Sequence, residues 1–222
     1  MKKLFFEAIT KVTLGLLLMI ALLFLPILTF DYWNAWLLIT LLFFPMIIVG
    51  FILLFKKPEL LNRRLKARET QKEQRVVIAL AALMFMTGFI VASLDYKYNL
   101  TNVPFPVVIA ASIIFVISYI LYGEVIRENE YLSRVIEVQE NQKVVDTGFY
   151  GIVRHPMYLA TILMFLSIPI ILGSIYSFII FLIYPFIIVS RIKNEEKVLM
   201  KELKGYKEYT QKVKYRLLPY IW

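Results

Sequence analysis

At 222 residues, with 60% hydrophobic side chains and a mean hydropathy of +0.71, the chain is far more apolar than an ordinary soluble domain. It has no cysteine and a single histidine, His155, which excludes disulfides and thiolate chemistry and leaves a histidine-based metal centre without a ligand set. A net charge of +9 would suit nucleic acid, but the placement of the charges argues otherwise.

Several apolar runs reach the roughly 18 to 20 residues that cross a bilayer as a helix, so the expected fold class is an all-α integral membrane protein. The basic start, with Lys2, Lys3 and Lys11, leads into a first apolar run at 12–30. That run is long and lacks a small-x-small cleavage site, so it reads as an uncleaved span. Asp31–Asn34 is a turn carrying interfacial Tyr32 and Trp33, and residues 33–55 form a second span with Pro45 as a possible kink. Residues 56–75 are strongly basic, yet Leu60, Leu61 and Leu65 recur at helical spacing, which fits an amphipathic helix on the membrane surface. A third span is expected at 76–94, then a short polar loop at 95–104, then a fourth span at 105–122. The loop contains the sequon Asn99-Leu100-Thr101, a pattern short enough to recur by chance.

Residues 123–155 are the longest stretch without an apolar run. Their first part can prolong the fourth helix, and the valines at 135, 138, 144 and 145 suit a small hairpin or an extended connector. Two apolar arms follow at 157–172 and 175–189 around Gly173-Ser174, a helical hairpin whose second arm meets Pro185 and runs on helically through Glu195. With six hydrophobic segments and both termini on one side, every Lys and Arg except Lys97 falls on that side. The positive-inside rule makes it cytoplasmic. Domain organisation then divides at about residue 122, a four-span membrane region at 1–122 preceding a second region at 123–222 that holds the connector, the hairpin and the C-terminal helix.

Two polar clusters bracket the hairpin on that face. In the first, Pro156 suits the opening turn of a helix, which puts His155 at its cap where an anion is favoured. Arg154 adds a permanent, bidentate cation, and Tyr150 and Tyr158 add amphipathic rings. In the second, Arg191 and Glu195 share a helix face while Glu196 points about a third of a turn away. Cation, cap and aromatics opposite acids make a receptor suited to a zwitterion. Read residue by residue, the same groups are also what a lipid-phosphate contact and an ordinary helix ion pair would use.

The pattern Gly148-Phe149-Tyr150-x-x-x-Arg154-His155-Pro156-x-Tyr158, then a hairpin, then Arg191-x-x-x-Glu195-Glu196-x-x-Leu199, resembles the isoprenylcysteine carboxyl methyltransferase family. Phospholipid N-methyltransferases share a looser form. The stretches Glu128-Asn129-x-Tyr131-x-Ser133-Arg134, Val144-Val145-Asp146-Thr147-Gly148 and Gly205-Tyr206-x-x-Tyr209 extend the resemblance from about residue 123 to the end. The family usually has Gly where this chain has Ala160. The resemblance implies a membrane methyltransferase that uses S-adenosylmethionine without a Rossmann domain, and no G-x-G-x-x-G is present. It implies cofactor contacts from Val145, Gly148, Tyr150, Arg154, His155, Pro156, Tyr158, Glu195 and Glu196, with the backbone around 144–148 near the adenine.

The expected acceptor is lipophilic and enters from the bilayer. A carboxylate acceptor needs no base and Arg191 would orient it; a lipid amine would need deprotonation by Glu195 or His155. Two other classes stand beside this reading. One is a sterol-type reductase with a nicotinamide cofactor, for which no phosphate-binding signature is seen. The other is a scaffold or transporter, against which the first four spans carry no ionisable residue. Ile- and Lys-rich usage points to an AT-rich prokaryote and its cell membrane.

Overall fold

The computed structural model describes residues 2–65, 72–133 and 135–222, and among them the regular structure is helical, with no strand. Lys66, Arg68 and Arg134 of the motifs above lie outside the described residues. The first helix, α1, spans Lys2–Phe24 and begins well before its apolar run. It stops at Leu25–Leu28, where Pro26 cannot supply an N–H and Leu28 takes a positive φ of 57°. Helix α2, Trp33–Lys56, carries Pro45 inside it. The short α3, Pro58–Leu65, is amphipathic as expected, but Leu60 and Leu61 are buried within the protein, 2% and 6% exposed. Helices α4, Lys72–Tyr98, and α5, Phe105–Glu128, both outrun their apolar cores by several residues.

After α5 the chain runs without regular structure to a single 3₁₀ turn at Gly148–Gly151. Of the two forms expected for this stretch, the structure has the extended connector, with a turn in which the Gln142 amide donates to the Gln139 carbonyl at 3.1 Å. Helix α6, Pro156–Ile171, opens the hairpin with His155 at its cap. Gly173, at φ 78°, makes the turn, and Ser174 caps α7, Ile175–Phe181, by accepting from the Ser177 amide at 3.0 Å. The second arm is not one kinked helix. It breaks at Leu182-Ile183 and restarts as α8, Tyr184–Glu202, with Pro185 in the first turn, where its missing N–H costs nothing. Gly205, at φ 85°, separates α8 from α9, Tyr206–Lys212.

Among the described residues five helical stretches are long and apolar enough to cross a membrane: residues 2–24, 33–56, 74–98, 105–128 and 175–202, the last taking α7 and α8 together. Helix α6 has 16 residues, about 24 Å at 1.5 Å per residue, against a hydrocarbon core of about 30 Å. The protein is thus a multi-pass helical membrane protein in which one of the six expected segments is short.

The most extensive helix pair is α5 with α6. Ala111, Ser112 and Ser118 on α5 and Ala160 and Ser167 on α6 are buried, and small residues let two backbones approach in lipid. The serine hydroxyls return to the carbonyls four residues earlier (Val108, Ile114 and Leu163) and so bury no unpaired donor. Helices α4 and α7 meet at Gly88, where the Phe181 ring occupies the space a Cβ would need.

At the end of the bundle away from the two clusters, Asp95 lies inside the last turn of α4, not in a loop, and is 1% exposed. It accepts from the Thr101 amide at 2.7 Å, the Thr101 hydroxyl at 2.6 Å and the Ser174 hydroxyl at 2.5 Å. Tyr32 donates to the Leu172 carbonyl at 2.6 Å, and Asn34 to that of Ile171 at 2.7 Å. This polar knot fixes the hairpin turn against α2 and α4, which sets how far α6 and α8 reach toward the opposite end.

Candidate active site

The two clusters converge. Arg154 Nε donates to Glu196 Oε1 at 2.7 Å, and His155 Nε2 stands 3.3 Å from the same oxygen. Arg216, from the tail, donates to Glu196 Oε2 at 2.6 Å. Arg154, His155 and Glu196 are each under 10% exposed, so this is a buried charge cluster. Local sequence explains half of it: Pro156 starts α6 and forces His155 out of the helical region, while α8 delivers Glu196 about three turns beyond its own start. The C-terminal tail supplies the rest. Arg154 donates through a terminal guanidinium nitrogen to the carbonyls of Val213 and Lys214, both at 2.8 Å.

The tail also binds the backbone just before the helix. The amides of Arg154 and His155 donate to the carbonyls of Tyr215 and Arg216 at 2.9 Å, which ties the corner to the tail. Arg216 is itself held, with its guanidinium 5.2 Å from the centre of the Trp222 ring and its amide donating to the Trp222 oxygen at 2.9 Å.

Beside this cluster runs a second chain of bonds. Arg191 Nε donates to the Tyr158 hydroxyl at 2.9 Å, and that hydroxyl donates to Glu195 Oε2 at 2.6 Å. The tyrosine therefore bridges the two residues expected to pair along the helix. Gln74, 1% exposed on α4, accepts from Arg191 at 3.2 Å and fixes the guanidinium from the other side. Nothing in the sequence marks Gln74, which sits at the polar edge of a span and is matched with Arg191 only by folding.

A cleft opens between the connector, the start of α6, α8 and α9. Of the predicted residues, Val145, Tyr150, Arg154, His155, Tyr158, Arg191 and Glu195 line it. Gly148, Pro156 and Glu196 stand behind that lining: Pro156 is the first residue of α6, and Glu196 neutralises Arg154 from beneath. Gly148 lies at φ 48° where the Glu128 carboxylate fills the space of a Cβ, and that carboxylate accepts from the Phe149 amide at 3.1 Å. This contact seats the 3₁₀ turn that carries Tyr150 into the cleft. The cleft is also lined by Leu203 and by Asn129, Tyr131, Ser133, Tyr206 and Tyr209, the last five lying in motifs visible in the sequence but not expected to form the site. Tyr209 donates to the Tyr150 carbonyl at 2.7 Å, whereas the buried Tyr206 hydroxyl has no partner among the described residues. Burial raises the ionisation of the Tyr150, Tyr206 and Tyr209 phenols above the usual tyrosine range, so all three stay protonated near neutral pH.

A second, apolar slot lies between α4, α6 and α8, bounded by Val77, Ala81, Phe85, Phe165, Ile187 and Ile188. It shares Ser133, Val135, Met157, Tyr158 and Arg191 with the polar cleft. Arg64, from α3, stands at its edge with its guanidinium 5.3 Å from the centre of the Tyr122 ring.

The family model for phospholipid methyltransferases matches residues 106–207. These residues carry both clusters, the connector and the hairpin, and the match agrees with the resemblance read from the motifs. The Delta(14)-sterol reductase TM7SF2 of Mus musculus is 30% identical over 90 residues. That alignment takes in 39% of this chain and 22% of the reductase, so the chain corresponds to about a fifth of that relative's length.

Proposed function

We propose that this protein is an integral membrane methyltransferase that takes its methyl group from S-adenosylmethionine and passes it to a lipophilic acceptor, most simply a carboxylate. The observation that carries the reading is the shared wall: a polar cleft and an apolar slot meet at Tyr158 and Arg191. A two-substrate enzyme joining a polar donor to a greasy acceptor needs such a junction, since the reacting atoms must come within about 3 to 3.5 Å.

The residues fit the donor. Glu195 offers a carboxylate to its ammonium, the Tyr206 hydroxyl, unpartnered among the described residues, offers a hydrogen bond, and Val145 on the connector gives an apolar contact for a flat base. When bound, S-adenosylmethionine supplies a sulfonium methyl whose departure leaves the electron pair on sulfur, so a carboxylate acceptor needs no base and an amine must first lose a proton. Arg191, held by Gln74 and Tyr158, orients an anionic group at the mouth of the slot. Tyr158 keeps Arg191 and Glu195 at a set separation by bonding both. The apolar slot takes the acceptor's tail and admits it sideways from the bilayer, which keeps water from the junction. Both termini and the cleft face the cytoplasm, α6 counting as a short sixth crossing.

The family match also supports N-methylation of a phospholipid amine, with Glu195 as the proton acceptor. A third reading, a nicotinamide-dependent reductase, draws on the similarity to the sterol reductase. Against it, such a cofactor brings several phosphates, while Arg154 in the cleft is already neutralised by Glu196.

Calorimetry on purified protein, with S-adenosylhomocysteine and NADPH as ligands, separates these classes. Binding of the first and not the second is expected; no binding of S-adenosylhomocysteine would reject the methyltransferase. Membranes incubated with a radiolabelled methyl donor then decide the acceptor. Label released from lipid by mild base marks an ester, and base-stable label marks an amine.

A further inference from the structure

Two buried side-chain polar atoms lack a hydrogen-bond partner among the described residues, Arg63 Nε and the hydroxyl of Tyr206. Only Tyr206 lines the polar cleft. Its residue is 4% exposed, held by Leu203, Tyr209 and Val213 in the small core under the connector, and the left-handed Gly205 starts the turn that aims it inward. A buried hydroxyl without a partner loses its hydration and gains nothing in return, which native proteins rarely tolerate without a reason. Replacement by phenylalanine would keep the packing and relieve that loss, so the hydroxyl is not there to hold the fold.

We propose that the Tyr206 hydroxyl is a binding contact for the cofactor, donating a hydrogen bond to the amino-acid end of bound S-adenosylmethionine. The inference rests on the methyltransferase reading and deepens it. The end of the ligand follows from the charges around the hydroxyl. Arg154 and Glu195 line the same cleft as Tyr206, and with Glu196 they act on its hydroxyl electrostatically. The zwitterionic part of the ligand belongs at the charged end. Arg154 is already engaged by Glu196 and two tail carbonyls, so the ligand carboxylate needs another donor. A phenol held protonated by burial supplies one without adding charge.

The test compares two ligands on wild-type protein and Tyr206→Phe by calorimetry in detergent. S-adenosylhomocysteine has the amino-acid end and methylthioadenosine lacks it. Tyr206→Phe should weaken S-adenosylhomocysteine about tenfold, the loss of one buried hydrogen bond, and leave methylthioadenosine within about twofold. The ligand-free variant should unfold at the same temperature as wild type or higher. Equal S-adenosylhomocysteine affinity in the two proteins, equal weakening of both ligands, or a marked fall in ligand-free stability would overturn the assignment while the enzyme reading stands. Wild-type protein that binds neither ligand would reject that reading itself.

Discussion

Glu196 meets two arginines and a histidine contributed by the corner before α6 and by the tail, and this decides what its replacement does. Removing one member of a buried ion pair leaves the other charge desolvated and alone, at a cost of about 3 to 5 kcal/mol. Glu196→Gln is therefore expected to lower thermal stability sharply even without ligand, with Arg154 the partner most affected because Arg216 is partly exposed. The double variant Arg154→Met with Glu196→Leu should recover much of that loss; a double variant as unstable as the sum of the singles would show that the pair is not the cause. The residue types of this cluster were legible, since an Arg-His-Pro corner and a Glu-Glu pair stand out in a chain this apolar. Their employment was not. Nothing local in Arg154 or Glu196 says that residues 213–216 will cross over them or that the two side chains will be each other's counterions.

Among the elements, the spans were readable because a bilayer demands about 20 apolar residues whatever the neighbours are. Their ends were not, because polar turns at Lys2–Lys11 and Lys72–Arg75 continue as helix, with Lys11 bonded to the Leu65 carbonyl and Gln74 to Arg191. The break before Pro185 and the burial of Leu60 and Leu61 have the same origin: partners distant in sequence decide whether a kink or a surface helix is kept. Gly88 shows how tightly one such partnership is drawn. Its missing side chain admits Phe181, fully buried and edge-on to Phe85 at 5.2 Å between ring centres, and the Ser177 hydroxyl donates to the Gly88 carbonyl at 2.9 Å. Gly88→Ala should cost about 1 to 3 kcal/mol by overpacking, since the ring has nowhere to go. Thermal unfolding in detergent reads this directly, and Gly88→Ala combined with Phe181→Leu should restore part of the loss. Gly50→Ala, where nothing lies within 4 Å of the added carbon, serves as the control and should leave stability nearly unchanged.

At the scale of the whole molecule, the proposed topology sets the two polar ends of the bundle on opposite sides of the membrane. The chain has no cysteine, so single cysteines report the side without interference. Lys207→Cys, exposed on α9 near the cleft, should react with a membrane-impermeant maleimide only from the cytoplasmic side, and Asn102→Cys, exposed near the Asp95 knot, only from the other. Reaction of both from one side would overturn the six-crossing arrangement. Composition and run length by themselves determined that this is a helical membrane protein, because the solvent imposes that demand on every apolar run independently of the rest. The order of spaced motifs likewise marked the second half of the chain, where the family model matches residues 106–207. Only the tertiary structure decided which polar groups remain available: it paired Arg154 with Glu196, linked Arg191 to Glu195 through Tyr158, and left the Tyr206 hydroxyl without a partner. Hydrogen-bond partners across 30 to 60 residues are fixed by packing, and no local pattern encodes them.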